Sequence, residues 1–350
     1  MLITLFIGNG FDLNNGLQTT FTDFYNHIKS TKSEYDIRKN DIYSCIEKDR
    51  DKWSYFEMQL GQLTFKYSEE QKNKLLEDID EFREDFIDYM TDQNELFSFE
   101  KEPSKQALVK TITEYMSQLE AVEREDILSI YNSTPSNRMF NFINFNYTNT
   151  LEQVVNLIDK RGSLLTSSVK NANFGNYLGE IIPIHKQLET GMFLGVNDES
   201  QLNSEIFSPT EKMSLIKPEA NDGFREDTNK KVENIIQKSS MVIIYGMSLG
   251  ETDKKWWVYL GRWLKEGQNN RLIIYVHDSK FSKKSPRHYF DKRTEYEDRF
   301  LGFSYDLSDV TNAELMEEMD NLRKKIYLIP NSKTDFKFSS SVMNTAELTK

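Results

Sequence analysis

The stretch MLITLFIGNGFDLNNGL, residues 1–17, begins with an apolar run rich in β-branched residues and breaks at Gly8-Asn9-Gly10. We interpret Leu2–Ile7 as a strand buried on both faces, because such strands are continuously apolar rather than alternating. The glycines would end this strand and allow a sharp turn. No positive residue precedes the run and no small-residue cleavage site follows it, so a secretory signal is not expected.

Three later runs have the same character: Asn141–Phe145, Met241–Tyr245 and Leu272–His277. Each of the first three runs along the chain ends in Gly or Asn before helical patterning resumes. This alternation predicts an α/β fold in which a parallel sheet is flanked by helices. In such folds the functional groups gather at the carboxyl ends of the strands.

Helical patterning fills most of the chain between the first two strands. Residues 68–90 place apolar side chains at the spacing typical of an amphipathic helix: Leu75, Ile79, Phe82, Phe86 and Tyr89. We predict a sheet domain of residues 1–29 and 136–335, with residues 30–135 as a helical insertion that acts as a lid or forms a separate helical domain. Residues 161–224 are typical of long loops with brief strands, and residues 336–350 of a poorly ordered tail.

Composition narrows the class of protein. The 350 residues carry a formal net charge of −12, which argues against strong nucleic-acid binding. No apolar run is long enough to span a membrane. The single cysteine, Cys45, lies in a helix-like setting and favours a reducing, cytoplasmic location. No pair of histidines has metal-binding spacing, so no metal is expected.

The turn after the first strand could bring the main chain close to a phosphate. Gly8 and Gly10 carry no Cβ, and the N–H groups of the next helix would face the anion. An ordinary strand-to-helix turn explains the two glycines as well. Asp12 could cap the helix or bind a ribose hydroxyl.

A second polar group follows the second strand, in the segment INFNYTNTLE, residues 143–152. Asn144, Asn146, Thr148 and Asn149 lie close together there, and amides can bind both a sugar hydroxyl and a water. Capping of the following helix explains Thr148 and Asn149. We assign Asn146 to a functional site.

Two histidines follow strand-like runs. His185 ends a short run in the loop-rich region. A lone histidine usually has a structural role, but a position after a strand and before the Gly191 and Gly195 turns makes His185 a candidate acid or base. His277 ends the fourth strand and is a second candidate.

The segment GMSLG, residues 246–250, matches the nucleophile elbow of serine hydrolases. Ser248 would then be the nucleophile, with His277 or His288 as its partner. The alternative is another strand-to-helix glycine turn, formed by Gly246, Ser248, Leu249, Gly250 and Asp253.

Taken in order, five segments resemble the bacteriophage abortive infection family AbiH. They are Gly8–Asp12 with Gly16 and Thr19; WSYFE with Trp53, Phe56 and Glu57; Phe145–Glu152; LGVNDESQ with Lys217 and Pro218; and Tyr245–Asp253. The resemblance implies a role in phage defence by abortive infection.

The AbiH family is similar in layout to sirtuin-like NAD-binding proteins. This implies a Rossmann-like, sirtuin-related sheet that binds NAD or a related nucleotide, with Asn146 orienting water or ribose and His185 acting as the base. The residues implied to bind the nucleotide are Gly8, Asn9, Gly10, Phe11, Asp12, Thr19, Asn144, Tyr147, Gly246, Ser248, Leu249 and Asp253. The chain departs from the sirtuin-like pattern at Thr148, where the pattern has Asp, and at Lys186, where it has Gly.

We therefore expect an abortive-infection protein that binds a nucleotide at the strand ends and cleaves the N-glycosidic bond of NAD. The first alternative is a non-catalytic nucleotide sensor that acts through partners or self-assembly. The second is a serine hydrolase that uses Ser248. A phage-encoded trigger and a homo-oligomer are compatible with each of these functions.

Overall fold

The computed structural model describes residues 1–49, 56–133, 136–158, 166–169, 172–185, 194–196, 198–217, 219–220, 227–305, 313–330 and 336–338. Its strands are β1 (Leu2–Ile7), β2 (Arg138–Asn144), β3 (Thr166–Val169), β4 (Ala172–Pro183), β5 (Met241–Tyr245), β6 (Arg271–Val276) and β7 (Ile326–Pro330). Its α-helices are α1 (Gly10–Asn14), α2 (Phe21–Thr31), α3 (Glu34–Lys39), α4 (Asp41–Lys48), α5 (Phe56–Thr64), α6 (Lys72–Leu96), α7 (Lys101–Thr113), α8 (Ala121–Ser133), α9 (Thr150–Val155), α10 (Pro209–Leu215), α11 (Thr228–Lys238), α12 (Lys254–Glu266), α13 (Pro286–Leu301) and α14 (Ala313–Arg323). Short 3₁₀ turns lie at Tyr115–Gln118, Glu199–Gln201, Ser204–Ile206 and Glu251–Asp253.

The strands form one sheet in the order β3-β4-β2-β1-β5-β6-β7. β3 is antiparallel to β4, and the other six strands run parallel. Numbered along the chain, the parallel strands follow the order 3-2-1-4-5-6 of a Rossmann-like fold. The α/β prediction is thus confirmed.

The strand order reverses at β1, and this reversal determines where a ligand site can form. Ile7, the last residue of β1, pairs with Asn144 of β2 and with Tyr245 of β5. The segments that follow these three strands therefore leave the sheet side by side. In open parallel sheets, the crevice at such a point is the usual ligand site.

Two parallel strands were not predicted from the sequence. β4 lies in the segment predicted to be long loops with brief strands, and it contains Gly175 and Gly179 rather than a continuous apolar run. A Cβ at Gly179 would lie 2.0 Å from Asn141 Oδ1, so glycine there allows close contact with β2. β7 is a run of only five residues that follows the charged helix α14.

Each face of the sheet buries its own apolar core. Alternate strand residues such as Leu5 and Ile243 pack with α7, α8 and α9. The intervening residues, such as Phe6 and Ile244, pack with α11, α12, α13 and α14. Covering both faces explains why the central strands are continuously apolar.

A third core joins the early helices to a later segment. Phe24, Phe82 and Phe86 from α2 and α6 pack with Leu194 and Leu215. The chain between β1 and β2 thus contributes to two cores. Its earlier helices form the third core, whereas α7 and α8 pack on the sheet. The domain limits given above stay predictions.

The end of the described chain differs from the expected poorly ordered tail. Phe336 and Phe338 are buried in the same core as α7 and α8. Residues 339–350 lie outside the described residues. Within the described helices, none combines the length and apolar character needed to cross a bilayer.

Candidate functional site

A cavity of about 810 Å³ lies at the carboxyl ends of β1, β2, β5 and β6. Residues following these strands form one side of it, and Phe56, Glu57, Phe86 and Met90 from α5 and α6 form another. Its volume falls within the range of roughly 300–1,000 Å³ that small-molecule sites have.

Most residues predicted to form the site line this cavity. They are Gly8, Asn9, Gly10, Asp12, Thr19, Asn146, Tyr147, His185, Gly246, Ser248, Leu249 and Asp253. Phe11 and Asn144 do not: Phe11 is buried in the sheet core, and Asn144 Nδ2 donates to both carboxylate oxygens of Glu152 at 3.0 Å. Trp53, Lys186 and Pro218 lie outside the described residues.

The glycine turn packs the β1 and β5 loops against each other. Gly8 N donates to Tyr245 O at 2.9 Å, and Gly10 N donates to Gly246 O at 2.8 Å. A Cβ at Gly10 would lie 2.5 Å from Gly246 Cα, and Gly246 itself has a φ of +69°. The glycines are therefore required for loop packing, and these two N–H groups already have acceptors. The predicted approach of a phosphate to this turn stays a prediction, and Gly8 and Gly10 both line the cavity.

Asp12 joins the β1 loop to the β2 loop. Its carboxylate accepts from Thr148 Oγ1 at 2.7 Å and from Thr150 Oγ1 at 2.6 Å. Burial raises the pKa of Asp12 to about 6, against the lowering effect of the two hydroxyl donors. Asp12 and Thr148 thus bind each other, rather than acting as helix caps. The cap predicted for Asn149 is also wrong, because its Oδ1 accepts from the Gln153 side chain at 2.6 Å.

Asn146 is the most unusual polar residue of the cavity. The residue is 2% exposed, and in the described structure neither its Nδ2 nor its Oδ1 has a hydrogen-bond partner. Its main chain is fixed, because Asn146 N donates to Asn144 Oδ1 at 3.0 Å. A buried amide without partners costs about 1–3 kcal/mol. The cavity therefore holds an amide that is positioned and lacks a partner.

His185 lies in the same cavity between aromatic rings. Its ring centroid is 5.6 Å from that of Phe145 and 5.8 Å from that of Tyr147, and its Nε2 is 3.6 Å from Asp253 Oδ1. Burial and the charge of Lys217 lower the pKa of His185, although Asp253 opposes this. The imidazole is consequently neutral near pH 7, as a general base must be.

A buried ion pair lies beside His185. Lys217 Nζ is 2.8 Å from Glu57 Oε2, and Tyr147 Oη donates to Glu57 Oε1 at 2.9 Å. Burial opposes the charge of Lys217, but Glu57 and Asp253 outweigh it and raise the pKa of Lys217. Our site prediction omitted Glu57 and Lys217. Their presence in the segments that resemble AbiH was the available signal.

The geometry gives no support to a serine hydrolase. Ser248 is exposed, and no described histidine forms a hydrogen bond with its side chain. It stands three residues beyond β5 and precedes a 3₁₀ turn, whereas an elbow serine lies in a strained turn directly into a helix. His277 lines the cavity but is exposed, and His288 lies near Arg287.

Among the residues that the structure describes, no group of three or more His, Cys, Asp or Glu side chains is arranged to hold a metal ion. Cys45 is half-buried on α4.

Comparison with known proteins identifies the family. No curated protein is matched by the chain at a significant level. The family model for bacteriophage abortive infection AbiH matches residues 4–275, from β1 into β6, and thereby includes Asn146, His185 and Asp253. This match implies a role in phage abortive infection. Because it spans well over half of the 350 residues, the chain belongs to the bacteriophage abortive infection family AbiH.

Proposed function

We propose that this protein acts in abortive infection by binding NAD or a related nucleotide in the cavity and cleaving its N-glycosidic bond. The observation that carries the proposal is the buried, unpartnered amide of Asn146, which shares the cavity with His185. An amide both donates and accepts, so it can hold a ribose hydroxyl and a water together. A ligand that supplied these partners would remove the cost of the unsatisfied amide.

In the proposed reaction, the bond between ribose C1′ and the nicotinamide nitrogen breaks, and its electron pair leaves with nicotinamide. Water adds to C1′, and its proton passes to His185. If His185 Nε2–H faces Asp253, Nδ1 keeps the lone pair that accepts this proton. General-base assistance of this kind contributes about 10²–10⁴-fold in rate.

The charges near His185 suit the transition state of this reaction. Two carboxylates, Glu57 and Asp253, lie around Lys217, the only one of the described lysine and arginine residues with an ion pair or pKa effect in this group. Burial acts against ionisation of Asp253, but His185 and Lys217 outweigh it and lower the pKa of Asp253. Negative charge fixed in a partly dry site stabilises an oxocarbenium-like sugar.

Release of nicotinamide from NAD by the pure protein, with and without phage lysate, tests the proposal. We expect turnover in the wild type and its loss in Asn146→Ala and in His185→Ala. The double variant should be no worse than either single variant, because residues that act as one unit are not additive. Ser248→Ala should retain most activity, and a fluorophosphonate probe should leave Ser248 unlabelled.

Two outcomes would contradict the proposed reaction. NAD binding without turnover under every condition would favour the sensor alternative. Labelling of Ser248 with complete loss of activity in Ser248→Ala would favour the hydrolase.

A further inference from the structure

The C-terminal segment Phe336–Phe338 is fixed beside α1. Asn15 Nδ2 donates to Phe336 O at 2.9 Å, and Asn15 Oδ1 accepts from Phe338 N at 2.9 Å. The ring centroids of Phe336 and Phe338 lie 6.2 Å and 5.7 Å from that of Phe11, and both rings are buried. Because both neighbours of Lys337 are held, its main chain is fixed at the wall of the cavity, which the exposed Lys337 side chain lines.

Among the described residues, two other lysine or arginine side chains line the cavity, and Lys337 differs from both. Lys217 is paired with Glu57, and Arg299 with Glu295 at 2.9 Å. Lys337 Nζ donates to the neutral carbonyl Asn14 O, and no carboxylate of the described residues lies within the 4.0 Å of an ion pair. An ammonium has three donors. Lys337 therefore brings an uncompensated charge and spare donors to the cavity.

We propose that Lys337 binds the anionic group of the cavity's ligand, and that the Phe336–Phe338 segment positions it for this purpose. The identification of that group as a nucleotide phosphate or diphosphate rests on the proposed function. Around His185, the carboxylates Glu57 and Asp253 would repel a phosphate. The phosphate end of the ligand consequently lies on the Lys337 side of the cavity, and the ribose to be attacked lies near His185. Lys337 stands beyond the matched residues 4–275, so the family model does not contain it.

Calorimetric titration of the full chain with ADP-ribose tests this assignment, since ADP-ribose carries the diphosphate and lacks the bond to be cleaved. We expect Lys337→Gln to bind about tenfold more weakly than the wild type, as for loss of one charge-assisted hydrogen bond. Lys337→Arg should restore most of the affinity. The difference between wild type and Lys337→Gln should shrink at high salt, because exposed charges are screened. Lys324→Gln, an exposed change elsewhere on the surface, is the matched control.

Equal ADP-ribose affinity in wild type and Lys337→Gln, or absence of ADP-ribose binding by the wild type, would overturn the assignment. Adenosine separates a charge effect from a structural one, because it carries no phosphate. Equal loss of adenosine and ADP-ribose binding in Lys337→Gln would assign Lys337 a structural role instead. The proposed reaction can fail independently: diphosphate binding through Lys337 without nicotinamide release would leave this inference standing.

Discussion

His185 Nε2 lies 3.6 Å from Asp253 Oδ1. Both residues line the cavity, His185 on the segment that follows β4 and Asp253 on the segment that follows β5. This separation is longer than a normal hydrogen bond, and catalytic contacts of unliganded sites often shorten when substrate binds. Asp253 therefore acts as a positioning residue for the imidazole in the proposed reaction.

The first prediction concerns Asp253→Asn and the pH dependence of nicotinamide release. Burial and Lys217 lower the pKa of His185, whereas Asp253 raises it. Removing the Asp253 charge should lower the pKa of His185 further, so the acidic limb of the kcat/KM profile should move to lower pH. We expect kcat to fall by about 10²-fold or more as the ring loses its orientation. An acidic limb that is unchanged, or that moves to higher pH, would contradict this role of Asp253. The control is Asp320→Asn, which changes an exposed carboxylate.

The second prediction separates stability from function at Asn146. Its side-chain amide is buried without partners. Asn146→Leu keeps the branching and the number of heavy atoms of the side chain and has no unsatisfied polar atoms, so we expect it to raise the free energy of unfolding by about 1–3 kcal/mol. The same change should abolish ligand binding. Urea unfolding and calorimetric titration measure the two effects. A destabilised Asn146→Leu would show that the amide has a structural role.

The third prediction concerns the contact between the β1 and β5 loops. A Cβ at Gly10 would lie 2.5 Å from Gly246 Cα, and one at Gly246 would lie 2.7 Å from Phe11 N on a positive-φ backbone. Gly10→Ala and Gly246→Ala should each cost about 1–3 kcal/mol of stability. Gly10→Val should lose the fold together with any ligand binding.

Gly250→Ala provides the matched control in the same β5 loop, because its Cβ would find its nearest neighbours at 3.7 Å and 3.9 Å. We expect its thermal unfolding midpoint to stay close to that of the wild type. If Gly10→Ala proved as stable as Gly250→Ala, the packing explanation of the glycine turn would be wrong.

The fourth prediction concerns the buried pair of Glu57 and Lys217, which are 7% and 5% exposed. Lys217→Met would leave Glu57 buried without its cation, at a cost of about 3–5 kcal/mol. Combining Lys217→Met with Glu57→Gln removes the unpaired negative charge of Glu57 and should recover most of the lost stability. The glutamine amide oxygen can still accept the hydrogen bond from Tyr147. Lys230→Met breaks an exposed pair with Asp227 and should change stability by less than about 1 kcal/mol. Equal costs for the two lysine changes, measured by urea unfolding, would contradict a buried charge effect.

The sequence predicted the fold where one local pattern was sufficient. β1 and β5 are continuously apolar because both of their faces are covered, and their bounds were predicted correctly. β4 was missed because the two glycines that allow its close contacts interrupt the apolar pattern. The apolar pattern and the length of a strand do not indicate which other strand it will pair with.

Some of the residues that line the cavity could be predicted from the sequence, and others could not. Residues that directly follow parallel strands, such as Asn146, can be assigned to one sheet edge from the sequence alone. Glu57, Lys217 and Lys337 come from segments far from any strand end that we predicted, and tertiary packing brings them to the cavity. The sequence alone left two explanations of the glycine turn open, because close approach to a phosphate and close approach to another loop demand the same residue.

The last prediction concerns Asp12 and the pH dependence of stability. The pKa of Asp12 is about 6 in the folded protein, against an ordinary value of 3.8. Between these values the folded state binds more protons than the unfolded state, so the contribution of Asp12 to stability is complete at low pH and is lost as pH rises through about 6. We expect the stability of the wild type, relative to Asp12→Asn, to fall by about 2 kcal/mol between about pH 4.5 and about pH 7.5. Urea unfolding of both proteins at each pH isolates this difference from all other titrating groups. Thr150→Val removes a hydroxyl that lowers the pKa of Asp12, so it should move the transition to higher pH. A difference between wild type and Asp12→Asn that stays constant across this range would show that Asp12 titrates at its ordinary value.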